Sequence, residues 1–299
     1  MRAIKREATT GVKTDSPQRW GVTDAEVALT LPGDELIAQP LVRWTHVITI
    51  NAPPAAVWPW IAQLGDTRGG YYSYTFIENQ VSALTGAQDY NVVYTNADRI
   101  HPEWQNPQPG DAMIQSVLKV REVAPEHYLL ADSVDPSVMN WVWLWQIEPA
   151  ANGQETRLLV RMAISTAGPS NPVTGFMMDV GGFVMEQNML QGIQARAEGG
   201  FEPSWTEPVE IALWTMALLI GLVGAFLFVA RSPWMAPLAL AVVAVMALFG
   251  LTFVQPALWL RTLIDVALLL GMIWAWRVSA PGASTSPQAQ HWEMRWKGA

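Results

Sequence analysis

Three long apolar segments fill the C-terminal third of the chain and constrain its fold more than any other feature. They run over residues 211–230, 235–254 and 257–276, and the first two contain no charged residue. At 1.5 Å per helical residue, each spans about 30 Å, the thickness of the hydrocarbon layer of a bilayer. The sequence therefore predicts three transmembrane helices, because a soluble bundle would need three successive helices that are apolar all round.

The third apolar segment carries two charged residues, Arg261 and Asp265. They stand four residues apart, so they lie on one face of a helix and are close enough to pair. Arg261 lies near the helix end, where its long side chain can also reach the membrane interface. Asp265 lies deeper, and an ionisable residue inside a membrane helix is a candidate for function. We predict a structural ion pair, with a functional role for Asp265 as the alternative.

The acidic charge of the chain is concentrated before residue 201. The 299 residues contain 18 Lys and Arg against 26 Asp and Glu, and all but five of each group precede this point. Nucleic acids are bound by clustered basic residues, so nucleic acid is excluded as a partner. The chain has no cysteine and four scattered histidines, which lack the spacing of metal ligands. No metal or other cofactor is predicted.

The N-terminus bears on the side of the membrane that the soluble part occupies. Its basic residues are followed by a polar stretch, so no signal peptide is predicted. A large N-terminal domain without a signal peptide is expected to stay in the cytoplasm, with the helices in the cell (inner) membrane. Arg231 and Arg277 follow the first and third apolar segments and favour the reverse orientation under the positive-inside rule. We predict the cytoplasmic orientation and keep the reverse as the alternative.

The first 200 residues have the pattern of one α+β domain. Alternating runs rich in β-branched and aromatic residues indicate strands, at 44–50, 113–122, 128–134, 139–148 and 156–166. Helices are predicted after Pro53 and Pro54, at 76–84, and over a long segment at 172–197. The predicted division of the chain is an N-terminal extension (1–40), the domain (41–200), a linker (201–210), the transmembrane region (211–277) and a polar tail (278–299).

Four segments of this domain resemble a known superfamily. They are 20–36 (WGVTDAEVALTLPGDEL), 48–79 (ITINAPPAAVWPWIAQLGDTRGGYYSYTFIEN), 97–111 (ADRIHPEWQNPQPGD) and 185–198 (MEQNMLQGIQARAE). In them the chain resembles bacterial members of the START-like or SRPBCC superfamily, which includes Bet v 1-like proteins, lipid-transfer START domains and polyketide cyclases/dehydrases. The resemblance implies a helix-grip fold, an antiparallel sheet wrapped around the long C-terminal helix. It also implies an apolar cavity for a hydrophobic or lipid-like small molecule.

Side chains of the similar segments are the candidates for lining this cavity. The predicted ligand-binding residues are Tyr71, Tyr72, Tyr74, Glu78, Arg99, Trp104, Met185 and Met189. Hydroxyl, carboxylate and guanidinium groups can orient an apolar ligand, and methionine fills irregular space. The alternative is structural: an ion pair of Arg99 with Glu78 or Glu103, a Trp104 buried in the core, and methionines in ordinary packing.

Three functions are open on this evidence. The first hypothesis is a membrane-anchored binding protein that holds a hydrophobic or lipid-like molecule in the helix-grip cavity. The alternative is an enzyme of the polyketide cyclase or dehydratase kind, in which Glu78 or His101 acts as general base. The third is a ligand-sensing or scaffold membrane protein. Binding comes before catalysis, because no nucleophile with a base partner and no complete phosphate loop is recognisable.

Overall fold

The protein consists of two compact units, an N-terminal unit over Met1–Pro203 and a C-terminal unit over Ser204–Ala299. The structure is a computed structural model that describes residues 18–79, 95–150, 153–166, 172–200, 203, 205–231 and 233–280. The predicted polar tail and the first 17 residues therefore lie almost wholly outside the described residues.

A seven-stranded sheet forms the framework of the N-terminal unit. Its strands are β1 (Arg19–Trp20), β2 (Val42–Ile50), β3 (Ala112–Ile114), β4 (Leu118–Ala124), β5 (Tyr128–Ser133), β6 (Met139–Pro149) and β7 (Thr156–Thr166). The spatial order is β1-β2-β7-β6-β5-β4-β3. All neighbours are antiparallel except β1 and β2, which are parallel. Strands β3 to β7 form an antiparallel meander, in which the strand predicted at 113–122 is divided into β3 and β4.

Both faces of the sheet are covered at its centre. Trp143 and Trp145 lie opposite Met162 and Val160 of β7 on one face, which we call the inner face. Leu144, one position along β6, belongs to a separate cluster on the opposite, outer face. Alternate residues of a strand point to opposite faces, so a strand that is apolar at every position needs a layer on each side.

The helices of this unit are α1 (Asp24–Val27), α2 (Pro54–Ala62), a single 3₁₀ turn (Pro102–Trp104) and α3 (Pro172–Ala197). Helices α2 and α3 cover the inner face. Pro54 opens α2 at a position where a missing N–H costs nothing. Residues 75–79 are also helical, and the rest of the predicted 76–84 helix lies outside the described residues.

The long helix α3 packs on the inner face of the sheet. Leu190 and Ile193 are fully buried there against Leu158 and Val160 of β7, in one cluster with residues of α2. The N-terminal unit is therefore an α+β domain with the helix-grip arrangement, which confirms the predicted fold class.

The residues before β2 cover the outer face of the sheet. Val22, Leu31 and Ile37 are buried against apolar side chains of β2, β5, β6 and β7. Arg161 of β7 holds this segment with hydrogen bonds to the carbonyl oxygens of Glu26, Val27 and Leu29, and with an ion pair to Asp34 at 2.8 Å. Residues 18–37 thus belong to the packed domain, although the sequence pattern set them apart as an extension.

The C-terminal unit contains three helices, α4 (Thr206–Ala230), α5 (Met235–Phe253) and α6 (Leu258–Val278). All three are long and apolar enough to cross a membrane, which suggests that the protein is integrated in one. Small residues bring the helices close together: a Cβ added at Gly224 would lie 3.0 Å from the backbone nitrogen of Ala241. Such close backbone approach is typical of helix packing in membranes.

The predicted ion pair between Arg261 and Asp265 is not formed. Arg261 instead pairs with Glu210 of α4 at 3.3 Å and donates a hydrogen bond from Nε to the carbonyl oxygen of Pro256 at 2.7 Å. The prediction was wrong because helical spacing shows only which residues of one helix share a face. It does not show that a neighbouring helix offers a carboxylate nearer the helix end, towards which the arginine side chain turns.

Candidate functional site

A buried ion pair between β2 and α3 is the most distinctive chemical feature of the N-terminal unit. The Nδ1 atom of His46 lies 2.5 Å from Oε2 of Glu186, and the two side chains are 0% and 2% exposed. The other carboxylate oxygen of Glu186 accepts a hydrogen bond of 3.1 Å from the indole N–H of Trp143 on β6. One glutamate thus connects α3 to two strands of the sheet.

The strand and helix periods bring these three side chains together. His46 lies opposite Val160 of β7, and Trp143 lies opposite Met162 of the same strand. Strands β2 and β6 flank β7, so these side chains come from strands about 10 Å apart. Glu186 reaches both from above, because it shares a helix face with Leu190, four residues further along α3.

Burial makes this pair expensive in free energy when both groups are charged. Taking two charges out of water costs several kcal/mol for each, and the cost is offset only where geometry and further hydrogen bonds are good. Phe183 closes the site on one side with an edge contact to the His46 ring, at 5.6 Å between centroids. Buried, paired titratable groups are concentrated at functional sites, although structural networks also contain them.

Aromatic side chains form a wall beside this pair, which we call the aromatic wall. It consists of Trp141, Trp143 and Trp145 of β6 together with Tyr71. The centroid of Trp143 lies 5.4 Å from that of Trp141, 4.2 Å from that of Trp145 and 6.1 Å from that of Tyr71. The Tyr71 hydroxyl donates to the carbonyl oxygen of Met113 at 2.5 Å. The wall therefore extends from β6 to the loop that follows α2.

Several polar atoms of this interior have no partner. The indole N–H groups of Trp141 and Trp145 and the Oε1 atom of Gln187 are buried without a hydrogen bond to any part of the chain that the structure describes. Each unsatisfied buried group costs about 1–3 kcal/mol. By contrast, the indole N–H of Trp44 donates to Asp179 of α3 at 2.9 Å. The N–H groups of Trp44 and Trp143 thus have a carboxylate acceptor on α3, whereas those of Trp141 and Trp145 have no acceptor among the described residues.

Tyr72, a predicted ligand-binding residue, lies in the core. Its side chain is 1% exposed. Its hydroxyl donates to the carbonyl oxygen of Trp60 at 3.1 Å and accepts from the amide of Gln63 at 2.9 Å. Burial raises the pKa of this hydroxyl above its usual value. The Arg196 guanidinium of α3 lies 4.8 Å from the centroid of the Tyr72 ring, so these contacts fasten the loop to α3.

Three other predicted residues lie along α3 or beside it. Met189 is fully buried in the inner cluster, and Tyr74 is also buried. Met185 is half-buried, and its carbonyl oxygen accepts a hydrogen bond of 2.7 Å from the hydroxyl of Ser73. Of the predicted tyrosines, Tyr71 is the one that the structure places against the aromatic wall.

The remaining candidates lie nearer the surface. His101 stacks on Trp104 at 4.2 Å, and its Nδ1 atom lies 3.2 Å from Oε1 of Glu103. Arg99 is exposed, and within the described residues it forms no ion pair with Glu103 or with Glu78. Glu78 is partly buried with one enclosed carboxylate oxygen. His101 and Trp104 thus come together, but no described contact joins them to Glu186.

The sequence pattern contained a signal for the two residues that prediction missed. In β2 the inward positions are Val42, Trp44, His46, Ile48 and Ile50, so a histidine occupies an apolar face. In α3, Glu186 falls at helical spacing with Leu190 and Ile193. A polar residue at an apolar position of a helix or strand is the informative exception to burial rules. Among the described residues, no group of three or more His, Asp or Glu side chains is arranged to hold a metal ion.

No known family profile and no curated protein matches the chain. It is similar to solved structures of low identity. A Thermobifida fusca protein is 13% identical, with 54% of this chain and 97% of the other covered and a TM-score of 0.31. A hypothetical Helicobacter pylori protein is 10% identical, with coverages of 57% and 96% and a TM-score of 0.29. The di-domain ARO/CYC protein BexL is 14% identical, with coverages of 56% and 53% and a TM-score of 0.28.

Proposed function

We propose that the protein is a membrane-anchored binding protein that holds a hydrophobic or lipid-like small molecule between α3 and the sheet. One observation carries the proposal: the aromatic wall contains the buried, unpaired N–H donors of Trp141 and Trp145. A bound molecule with an acceptor oxygen would satisfy a donor that the protein leaves free. Binding sites for small molecules are mostly apolar and have a few polar groups of this kind.

The composition of the inner face supports an apolar ligand. The wall is continuous with aliphatic side chains of β7 and with Met162 and Met189, and methionine adapts to ligands of irregular shape. Glu186 and His46 add a polar centre at which a hydroxyl or carbonyl group of the ligand can be oriented. A single polar end on a hydrophobic body is therefore the chemistry that this interior fits.

The N-terminal half of α3 offers a route of entry. A Cβ added at Gly175 or Gly181 would meet no atom within 4 Å, and Phe176 is 66% exposed. In the C-terminal half, Leu190 and Ile193 are fully buried. Displacement of the first turns of α3, around Gly175 and Phe176, would open the interior, while the contacts of Trp44 with Asp179 and Gly182 and the buried residues from Phe183 onward keep the helix in place. Segments with few buried contacts are those that open at low cost.

The binding test separates ligand contact from folding. Trp141→Phe keeps an aromatic side chain but replaces the indole by a smaller phenyl ring and removes the unpaired N–H, so denaturant unfolding of the variant measures the cost of the lost volume separately from binding. Binding of a fluorescent fatty acid, followed by its emission in a titration of the full chain, should weaken about 5- to 30-fold if one hydrogen bond of roughly 1–2 kcal/mol is lost. The matched control is Val138→Ala, at an exposed position just before β6.

Two results would overturn the binding proposal. One is native mass spectrometry of the detergent-purified chain that never shows a bound apolar molecule, together with no uptake of the fluorescent fatty acid. The other is equal affinity for the wild type and for Trp141→Phe and Trp145→Phe, which would mean that the free donors do not contact the ligand.

The enzyme alternative stays a prediction. A general base must reach the proton that it removes. His101 is engaged with Glu103 and Trp104. Binding is therefore the function that we carry forward.

For localisation we propose the cell (inner) membrane with the N-terminal unit in the cytoplasm. With three spans, the proposed topology puts Glu35 and Val278 on opposite sides of the membrane. The chain has no cysteine, so Glu35→Cys and Val278→Cys each introduce one thiol. In intact cells, a membrane-impermeant maleimide should label Val278→Cys and spare Glu35→Cys. The opposite labelling pattern would show the reverse orientation, which the positive-inside rule favours.

A further inference from the structure

The C-terminal unit contains a buried carboxyl group without a partner. Asp265 of α6 is 1% exposed, and neither of its side-chain oxygens has a hydrogen-bond partner among the described residues. It lies seven residues after Leu258, the first residue of α6, which corresponds to about 10 Å along the helix. Leu268 of the same helix is buried in an apolar cluster with Leu240 and Ala244 of α5.

The cation nearest in sequence is held elsewhere. Arg261 stands one turn before Asp265, but it is bound to Glu210 at 3.3 Å and to the carbonyl oxygen of Pro256 at 2.7 Å. Its side chain is 4% exposed. The guanidinium of Arg261 thus neutralises Glu210, and Asp265 has no cationic partner among the described residues.

No other helix supplies a counter-charge. Between Met235 and Phe253, α5 has no charged residue, and α4 contributes only Glu207 and Glu210. The remaining cations near the helices are Arg231, which follows α4, and Arg277, in the last turn of α6. Both lie at the C-terminal ends of these helices, whereas Glu210 and Arg261 lie near the N-terminal ends. Arg231 is bound there to the carbonyl oxygen of Trp276 at 3.1 Å.

We infer that Asp265 is a proton-binding site in the membrane region: it carries a proton at neutral pH and releases it to water when Arg261 leaves Glu210 to pair with it. An isolated carboxylate in an apolar medium is so costly that the group takes up a proton instead. Arg261 can neutralise either Glu210 or Asp265. The bundle therefore has two arrangements of the same guanidinium, and occupancy of Asp265 by a proton selects between them.

Infrared spectroscopy of the full-length protein in phosphatidylcholine vesicles tests the inference. At neutral pH the wild type should show a carbonyl band of a protonated carboxylic acid that Asp265→Asn lacks, and this band should shift in D₂O. Asn has nearly the same shape, and far-UV circular dichroism checks that the variant is folded. If the spectra of the wild type and Asp265→Asn do not differ in this band, the inference is wrong.

A second pair of variants tests the role of Arg261. Glu210→Gln frees the guanidinium, so the band should be lost at neutral pH because Arg261 now pairs with ionised Asp265. Glu207→Gln removes a carboxylate at the same end of α4 and should keep the band. Retention of the band in Glu210→Gln would overturn the exchange of partners.

A hydrophobic carbodiimide provides a measurement with a different readout. It reacts with protonated carboxyl groups in apolar surroundings, so peptide mass spectrometry should find the adduct at Asp265 in the wild type and in Glu207→Gln. In Glu210→Gln the yield at Asp265 should fall several-fold. Equal yields in the three proteins would contradict the proposed exchange of Arg261 between the two carboxylates.

Discussion

Glu186 connects α3 to both sides of β7. It pairs with His46 of β2 and accepts a hydrogen bond from Trp143 of β6. Each of the three polar groups is buried, and Glu186 is the one that the other two share. Removal of Glu186 takes the carboxylate from His46 and the acceptor from the Trp143 N–H, which costs more than the net contribution of the pair.

Glu186→Ala should therefore be strongly destabilising. We expect the free energy of unfolding to fall by about 3–5 kcal/mol, the range for breaking a buried ion pair. Glu186→Gln should cost less, because the amide can still accept from Trp143. Denaturant unfolding followed by near-ultraviolet circular dichroism of the tryptophans is the measurement. Glu35→Ala, at an exposed position, is the control, and equal losses in the two alanine variants would refute the prediction.

Arg161 has the corresponding role on the outer face. Its guanidinium donates to Thr45, to Asp34 and to three backbone carbonyl oxygens before β2, and burial lowers its pKa. Lysine cannot reproduce this fork of donors. Arg161→Lys should lower the free energy of unfolding by about 2–3 kcal/mol.

The same substitution should also make residues 18–37 sensitive to limited proteolysis. Arg121→Lys is the matched control, because Arg121 is exposed and pairs only with Asp132 among the described residues. If both variants resist proteases as the wild type does, Arg161 does not hold the segment.

At the scale of elements, α3 is packed unevenly along its length. A Cβ added at Gly192 would lie 2.4 Å from the carbonyl oxygen of Tyr72, whereas one added at Gly181 would meet nothing within 4 Å. Both glycines lie inside the helix. At Gly181 a substitution therefore reports the intrinsic cost of glycine in a helix, whereas at Gly192 it also reports close packing against the neighbouring backbone.

Opposite effects are expected from alanine at these two positions. Gly181→Ala should raise the free energy of unfolding by about 0.5–1 kcal/mol, because alanine has less backbone entropy to lose. Gly192→Ala should lower it, because the new methyl group contacts backbone that cannot move freely. Thermal unfolding compares the two variants with the wild type. A stabilising Gly192→Ala would show that the loop around Tyr72 is not in close contact with α3.

The main strands could be predicted because a strand buried on one or both faces has a local pattern. β7 alternates over much of its length, and β6 is apolar at every position from Trp141 to Trp145, so their existence followed from residues within each segment. β1 has only two residues, Arg19 and Trp20, and two residues cannot show an alternation. Its pairing with β2 depends on contacts that no local pattern contains.

At the scale of the whole molecule, the two units have different physical environments. The N-terminal unit buries its apolar residues in two clusters on the faces of its sheet. The C-terminal helices instead expose many large apolar side chains, including Leu222, Phe226 and Met246. Such surfaces are stable in lipid and not in water.

Fractionation tests membrane integration directly. After an alkaline carbonate wash, the full chain should stay with the membrane pellet and require detergent for release. A chain that ends at residue 203 lacks the three apolar helices, and we expect it in the soluble fraction. Release of the full chain by carbonate would mean that its helices do not span the bilayer.

The sequence by itself determined the three long apolar helices, the main strands and the long helix α3, because each depends on hydrophobic pattern and length within one segment. Only the tertiary structure decided that His46 meets Glu186 and that Arg261 pairs with Glu210. It also placed residues 18–37 on the outer face. The physical reason is that these contacts join distant segments, and burial and distance between segments are set by packing, which no single periodicity records.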